Sequence, residues 1–403
     1  MSNTPSDPKP AAKQTRLLRA GSGSALQART VSPPLQRGST VLLPSAKALY
    51  DAGRPTYGRM GLSMQTALAE AVGELEGSAP ARLFPSGLAA VTGTLLALLK
   101  SGDEILATDC VYGPSRRFCD GLLKRYGVKT RYFAPDASPE AVMAMAGSDT
   151  RLILLESPGS LTFEIQDVPA IARLARERDL LTVIDNTWGV GLLYNPLSLG
   201  VDVSVQALTK YVGGHSDVFM GSACSLDAGL LNRIDIFLRD FGIGVSPDDA
   251  YFMLRGLRTL EVRLKRHAEN ALKVAEWLQA QHEVAQVLCP GLPGAPGHDL
   301  WKRDFTGLNG LFSLVLRPGP EAAVETFIDT LTLFGLGFSW GGFESLAIHC
   351  DPQLPYRSLK PAYGGPVVRL HVGLEDPDDL IADLRAALDA YATICAPTAW
   401  DRR

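Results

Sequence analysis

Three apolar runs in this chain end in polar side chains, and those ends hold the groups best suited to chemistry. The run from Leu180 to Ile184 delivers Asp185, Asn186, Thr187 and Trp188. The run from Val203 delivers Thr209, Lys210 and His215, and that from Arg151 to Leu155 delivers Glu156 and Ser157. In open parallel sheets, sites form outside the carboxyl ends of the strands. An aspartate at the end of a run with four apolar residues in five is costly to leave unpaired. Alone it reads as a helix cap or a satisfied structural carboxylate, and a lone lysine as a solvated one. The pairing alters that reading, because Asp185 and Lys210 close two core strands only 25 residues apart. A buried lysine tends to lose its charge, and a neutral amine can attack a carbonyl.

A third group completes the set. In "FPSGLAAV" (Phe84 to Val91), Ser86 and Gly87 fall where a strand turns into a helix. Helix N-termini bind anions through free N–H groups, and glycine lets a phosphate approach the backbone. Alone this is a common turn. A phosphate seat, a lysine amine and a buried aspartate together point to pyridoxal 5'-phosphate. Lys210 would hold the aldehyde as a Schiff base, and Asp185 would keep the pyridine nitrogen protonated. No metal site is expected: His215 and the pair His349-Cys350 lack partners at ligand spacing. A structural hydrogen bond is the favoured role for His215.

The rest of the 403 residues must position these groups. Apolar residues make up 46%, charged residues 20%, and the net charge is −4. That composition suits a globular chain and gives no general pull toward nucleic acid or acidic membranes. Small molecules and protein partners are the expected ligands. The six cysteines are scattered with no CxxC pair, which argues for reduced thiols and a cytoplasmic location. Apolar runs such as Leu152 to Leu155 are too short to cross a bilayer. Residues 1–29 carry Lys, Arg, Ser and Ala with little acid; a flexible arm is favoured over a transit peptide.

Residues 1–62 read as an N-terminal arm, extended where Pro33, Pro34 and Pro44 block a helix. Within it, "GSGSAL" from Gly21 lacks the βαβ frame of a dinucleotide fingerprint. From Ser63, strands and helices alternate through "EILATD", "RLILLESP" and "LLTVIDN". Continuous apolar strands between amphipathic helices signal a mainly parallel, doubly covered sheet. Residues 63–255 are expected to form this large α/β domain. Leu254, Leu257, Leu260 and Leu264 then sit at helical spacing, which predicts a helix packed between domains. Residues 256–403 complete a smaller C-terminal α/β domain.

The motifs themselves resemble a known family. "ALTKYVGGHSD" (Ala207 to Asp217) is similar to the Schiff-base segment of the Cys/Met-metabolism pyridoxal-phosphate enzymes. "YGRMG" (Tyr57 to Gly61), "DNTW" and "GLRTLEVRLKRH" (Gly256 to His267) match as well, so the likeness runs from about Gln36 to Tyr391. Within the family, "ESPGS", "KRDFTG" and "SWGGFESL" look most like the bacterial cystathionine β-lyases. The resemblance implies the aspartate-aminotransferase-like (type I) fold and a homotetramer built from dimers with shared active sites.

It also implies roles. Lys210 would be the cofactor lysine and Asp185 its pyridinium partner. Tyr112 would stack on the ring and take part in proton transfer. Ser86, Gly87, Leu88, Thr187 and Thr209 would contribute to cofactor binding, with Tyr57 and Arg59 reaching the phosphate from a neighbouring subunit. Arg369 would clamp the substrate α-carboxylate, with Ser339 and Trp340 on the substrate-facing loop. Two positions depart from the pattern: Ala207 stands where many relatives have Ser, and Phe338 where β-lyases have Tyr. The expected reaction is β-elimination from L-cystathionine to homocysteine, pyruvate and ammonia, with Lys210 or Tyr112 as base. Cysteine β-lyase, γ-lyase, γ-synthase or sulfhydrylase activity would use the same core residues. A catalytically silent binding protein is the reading from another class.

Overall fold

The structure is a computed structural model, and it describes residues 12–20, 30–51, 55–359, 361 and 363–395. The glycine-rich stretch from Gly21 lies outside the described residues.

Two sheets organise the chain. The first holds β1 (Arg82–Phe84), β2 (Glu104–Thr108), β3 (Lys129–Phe133), β4 (Thr150–Glu156), β5 (Leu181–Asp185), β6 (Val203–Gln206) and β7 (Gly221–Cys224). Their spatial order is β1-β7-β6-β5-β4-β2-β3. Pairings from β3 through β6 are parallel, and β7 runs antiparallel to both β6 and β1. The sheet is therefore mainly parallel, as the apolar runs require. Alternate residues of each strand feed two cores. Leu152, Leu154, Val183 and Val205 face the helices Gly87–Leu98 and Ala228–Asp240. Ile153, Leu155 and Ile184 face Ser63–Glu76, Val168–Arg176 and Pro247–Leu257. Side chains of period two, apolar on both faces, account for the unbroken hydrophobic runs.

The second sheet holds β8 (Val284–Leu288), β9 (Leu311–Leu316), β10 (Gly335–Leu336), β11 (Leu346–His349) and β12 (Val367–His371), in the order β10-β11-β12-β9-β8. Only β10 and β11 are parallel. The helices Glu321–Thr330 and Pro377–Cys395 pack together beside it. An α/β fold with a large, mainly parallel sheet and a smaller second one is what the sequence pattern requires.

Two differences from the sequence expectations have plain causes. The amphipathic stretch after Ala250 forms two helices, Pro247–Leu257 and Leu260–Gln279, broken at Arg258-Thr259. The 255/256 division lies within the first of them. The arm carries a helix, Lys13–Arg19, although only looseness was expected of the first thirty residues. Side chains hold it from outside its own sequence. Lys13 Nζ donates to Gly191 O at 2.9 Å, and Arg16 Nε to Glu74 Oε1 at 2.6 Å.

The helix Ser63–Glu76 stops where Gly77 turns left-handed at φ 70°, a conformation that glycine adopts without strain. Its last residue, Glu76, is buried on the face opposite the candidate site. It accepts from Asn186 Nδ2 at 3.4 Å and from Gln206 Nε2. Burial pushes its carboxyl up to about 6, against hydrogen bonds from Gln206 and Asn186 that pull it down. Its folded value lies above the unfolded one. The stabilisation is therefore complete below the unfolded carboxylate range and is lost as pH rises through 6. Glu76→Gln is expected to raise the unfolding free energy at pH 8 by about 2 kcal/mol, and to change it little at pH 4. Chemical denaturation of the cofactor-free protein at fixed concentration measures both.

Candidate active site

Three strand ends and one helix start meet above the first sheet. Asp185 ends β5 and faces the helix Gly87–Leu98. Its Oδ1 accepts from Thr187 N at 3.0 Å and Thr187 Oγ1 at 2.5 Å. The same hydroxyl accepts from Ala207 N at 2.9 Å. Thr187 thus ties the β5 end to the loop that carries Lys210, and it orients the aspartate. Oδ2 of Asp185 has no protein donor among the described residues. Burial pushes the Asp185 carboxyl up, opposed by the Thr187 hydrogen bonds and by Lys210. A protonated ring nitrogen at Oδ2 would match that unfilled acceptor.

Lys210 lies four residues beyond β6. Its Nζ donates to Ser339 Oγ at 2.6 Å and lies 5.2 Å from the Trp340 ring centre. Burial, then the nearby Arg369 charge, lower the amine to about 8, with Asp185 acting the other way. A lysine near 8 has a sizeable neutral fraction at physiological pH, as a carbonyl nucleophile needs.

The helix start supplies an anion seat. Ser86 caps it, its Oγ accepting from Ala89 N at 3.1 Å. The N–H groups of Gly87 and Leu88 remain without intrahelical partners. Gly87 is required by contact: a Cβ there would fall 2.3 Å from the Cβ of Ala207. The alanine at 207 therefore packs the helix start against the lysine loop. Thr209, expected to contribute to cofactor binding, directly precedes Lys210 on the same loop. Its hydroxyl donates to Met220 O at 3.1 Å and accepts from Met220 N at 3.0 Å.

Tyr112 is 44% exposed. Glu156 Oε2 accepts from its backbone N–H at 2.6 Å. Burial, then Asp185 and Glu156, push its phenol up. Glu156 pairs with Asp185 across β4 and β5, and burial with that neighbour lifts its own carboxyl well above normal. The sequence marked Glu156 only as a strand end. Its hold on Tyr112 depends on a contact between residues 44 apart, which no local pattern reveals.

The second sheet contributes Arg369 on β12, 8% exposed. Its Nη2 donates to Ser339 O at 2.8 Å, and its buried Nε has no partner among the described residues. A buried guanidinium N–H without a partner suits a carboxylate. Trp340 packs on Tyr211, with ring centres 5.5 Å apart, while Phe338 is 79% exposed. Tyr57 and Arg59 lie apart from this hydrogen-bonded group. Arg59 Nη1 donates to Arg239 O at 3.5 Å, and its guanidinium lies 5.9 Å from the Tyr57 ring. His215 Nδ1 bonds to Gly213 O at 2.7 Å. Among the described residues no group of three or more His, Cys, Asp or Glu could hold a metal ion, and no helix is long and apolar enough to cross a membrane.

An amine, a ring-nitrogen acceptor and a phosphate seat on one sheet edge define a pyridoxal-phosphate enzyme. Comparison with known proteins narrows the class. Residues 14–389 match the family model described as Cys/Met metabolism PLP-dependent enzyme, so the chain belongs to that family. It is 44% identical to the cystathionine beta-lyase of Bordetella avium over 374 residues, 91% of this chain and 93% of the relative. It is 42% identical to that of Escherichia coli (strain K12) over 386 residues, 92% and 97% of the two chains. Among solved structures it is similar to cystathionine gamma synthase from Xanthomonas oryzae pv. oryzae in complex with aminoacrylate and cysteine. That match has a TM-score of 0.88 and 33% identity, and it covers 95% of this chain and 99% of the other.

Thr187→Ala removes a charge-assisted hydrogen bond to Asp185 and leaves the Ala207 N–H without its acceptor. It is expected to weaken pyridoxal phosphate binding roughly 10- to 100-fold. Titration of the cofactor-free protein, followed by visible absorbance, gives the dissociation constant.

Proposed function

We propose that this protein is a carbon–sulfur β-lyase that cleaves L-cystathionine to homocysteine, pyruvate and ammonia. The observation that carries the reading is one connected set of contacts: Lys210 amine to Ser339 hydroxyl, and Ser339 carbonyl to Arg369. A base and a carboxylate clamp are thereby held at a fixed separation, as abstraction of a proton from an amino acid Cα requires. Identities of 42–44% to cystathionine beta-lyases over nine-tenths of the chain support the β-lyase over other family reactions.

Pyridoxal phosphate, when bound, supplies the electron sink that stabilises negative charge at Cα. Gly87, Leu88 and Ser86 would hold its phosphate, Asp185 its ring nitrogen, and Tyr112 its ring face. Thr187 would act by orienting Asp185. Arg369 binds the substrate carboxylate. Lys210, with its lowered amine, takes the Cα proton, because the raised Tyr112 phenol keeps its own proton near neutral pH. The Cβ–S bond breaks with its electron pair on sulfur, and homocysteine leaves as its thiolate. Water converts the three-carbon remainder to pyruvate and ammonia. We place the protein in the cytoplasm as a homotetramer built from dimers with shared active sites. Tyr57, half exposed, and Arg59 on the arm would then complete a neighbouring subunit's phosphate site. The six buried free thiols fit a reducing compartment.

Product identification on purified protein with L-cystathionine and cofactor tests the reaction. Pyruvate with homocysteine is expected; 2-oxobutyrate with cysteine would replace β- by γ-chemistry. Lys210→Ala should abolish turnover, and near-normal activity would overturn the assignment. Arg369→Ala should raise KM for the amino acid about 10- to 100-fold, and an unchanged KM would refute the clamp.

A further inference from the structure

His371 lies on β12, two residues beyond Arg369, and has no solvent exposure. Both ring nitrogens are engaged on one loop. Nδ1 lies 3.0 Å from Glu344 O, and Nε2 accepts from Gly341 N at 3.1 Å. Only the neutral ring with its proton on Nδ1 can donate to a carbonyl and accept from an N–H at once. The groups facing it are His267 at 5.2 Å, Tyr211 at 5.8 Å, and the cations Arg369 and Lys210. Burial, then these positive neighbours, hold the imidazole well below its ordinary value.

The loop it grips is the one that touches Lys210. Ser339 is left-handed at φ 85°, a conformation that a non-glycine residue keeps only when its surroundings enforce it. Its hydroxyl takes the Lys210 amine, and its carbonyl takes Arg369. Gly341, at φ 89°, lies so close to the lysine segment that a Cβ would fall 2.8 Å from Tyr211 N and 2.9 Å from Lys210 C. The loop is pinned before Trp340 by Lys210 and Arg369, and after it by His371.

We propose that His371 is a positioning residue: by accepting the Gly341 N–H it holds Ser339 left-handed, with its hydroxyl on the Lys210 amine. It touches neither substrate nor cofactor and acts through the loop. The inference rests on Lys210 as the reacting amine, but not on which sulfur amino acid is cleaved, so product identity leaves it untouched.

Two variants separate this role from simple packing. A glutamine amide reaches the position of the ring Nε2, where its oxygen accepts the Gly341 N–H. Asparagine, one methylene shorter, reaches only Glu344 and leaves the Gly341 N–H buried and unpaired. With whichever sulfur amino acid is turned over, His371→Gln should keep kcat within about threefold. His371→Asn should lower kcat about tenfold or more, with KM and cofactor affinity little changed. Ser339→Ala combined with His371→Asn should be no slower than Ser339→Ala alone, since both act through one contact. The absorbance of the lysine-bound cofactor gives a readout independent of turnover. Its pH midpoint should move in the same direction in His371→Asn and Ser339→Ala, and stay in place in His371→Gln. Wild-type behaviour of the asparagine variant, equal impairment of both variants, an effect on KM alone, or multiplied effects in the double variant would each overturn the proposal. So would failure of either variant to fold or to hold cofactor, which would make His371 a structural residue.

Discussion

Removing an amine and a carboxylate from water at the edge of one sheet is the constraint on which the site depends. Asp185 ends one buried strand and Lys210 closely follows the next, so neither group is well hydrated. Burial lowers the lysine to about 8 and raises the aspartate. Each shift favours the neutral form, and their mutual attraction only partly opposes it. A cationic ring nitrogen beside Asp185 and a carbonyl within reach of Lys210 relieve both costs together. Pyridoxal phosphate carries both groups, and this accounts for the pair at the end of adjacent core strands.

Around that pair, most side chains act through their neighbours. Thr187 bridges Asp185 and the backbone of Ala207. Ala207 in turn packs against Gly87, so the phosphate seat, the ring acceptor and the lysine loop share one rigid corner. A serine at 207 would offer a hydroxyl there, and alanine leaves the anion to the helix N–H groups. The second sheet is the other half of the device. It brings Arg369 and the Ser339–Trp340 loop onto Lys210, with His371 fixing the loop from behind. Beneath the corner, on the opposite sheet face, Glu76, Asn186 and Gln206 form a separate buried polar network.

The alternation of apolar runs and amphipathic helices made the first sheet legible, because side chains of period two, apolar on both faces, leave a local record. Lys210, Asp185 and Gly87 were legible for the same reason: each closes or opens such an element. Arg369, Tyr112 and Ser339 came from family resemblance; in the structure Arg369 bonds to Ser339 and its charge acts on Tyr112. Other features left no local trace. Glu156 acts on Tyr112 across 44 residues, and His371 on Gly341 across 30. The helix Lys13–Arg19 is held by Gly191 and Glu74 rather than by its own pattern. The Thr209 hydroxyl bonds to Met220, 11 residues further on, another contact without a local trace. The break at Arg258-Thr259 was hidden because Leu257 and Leu260 continue the apolar face across it.

The central claim is that Lys210 is the amine desolvated to react with the cofactor aldehyde. Borohydride reduction of the cofactor-loaded protein, followed by peptide mass mapping, tests it most directly. The account predicts a single pyridoxyl-phosphate adduct on Lys210. An adduct on another lysine, with Lys210 unmodified, would contradict it.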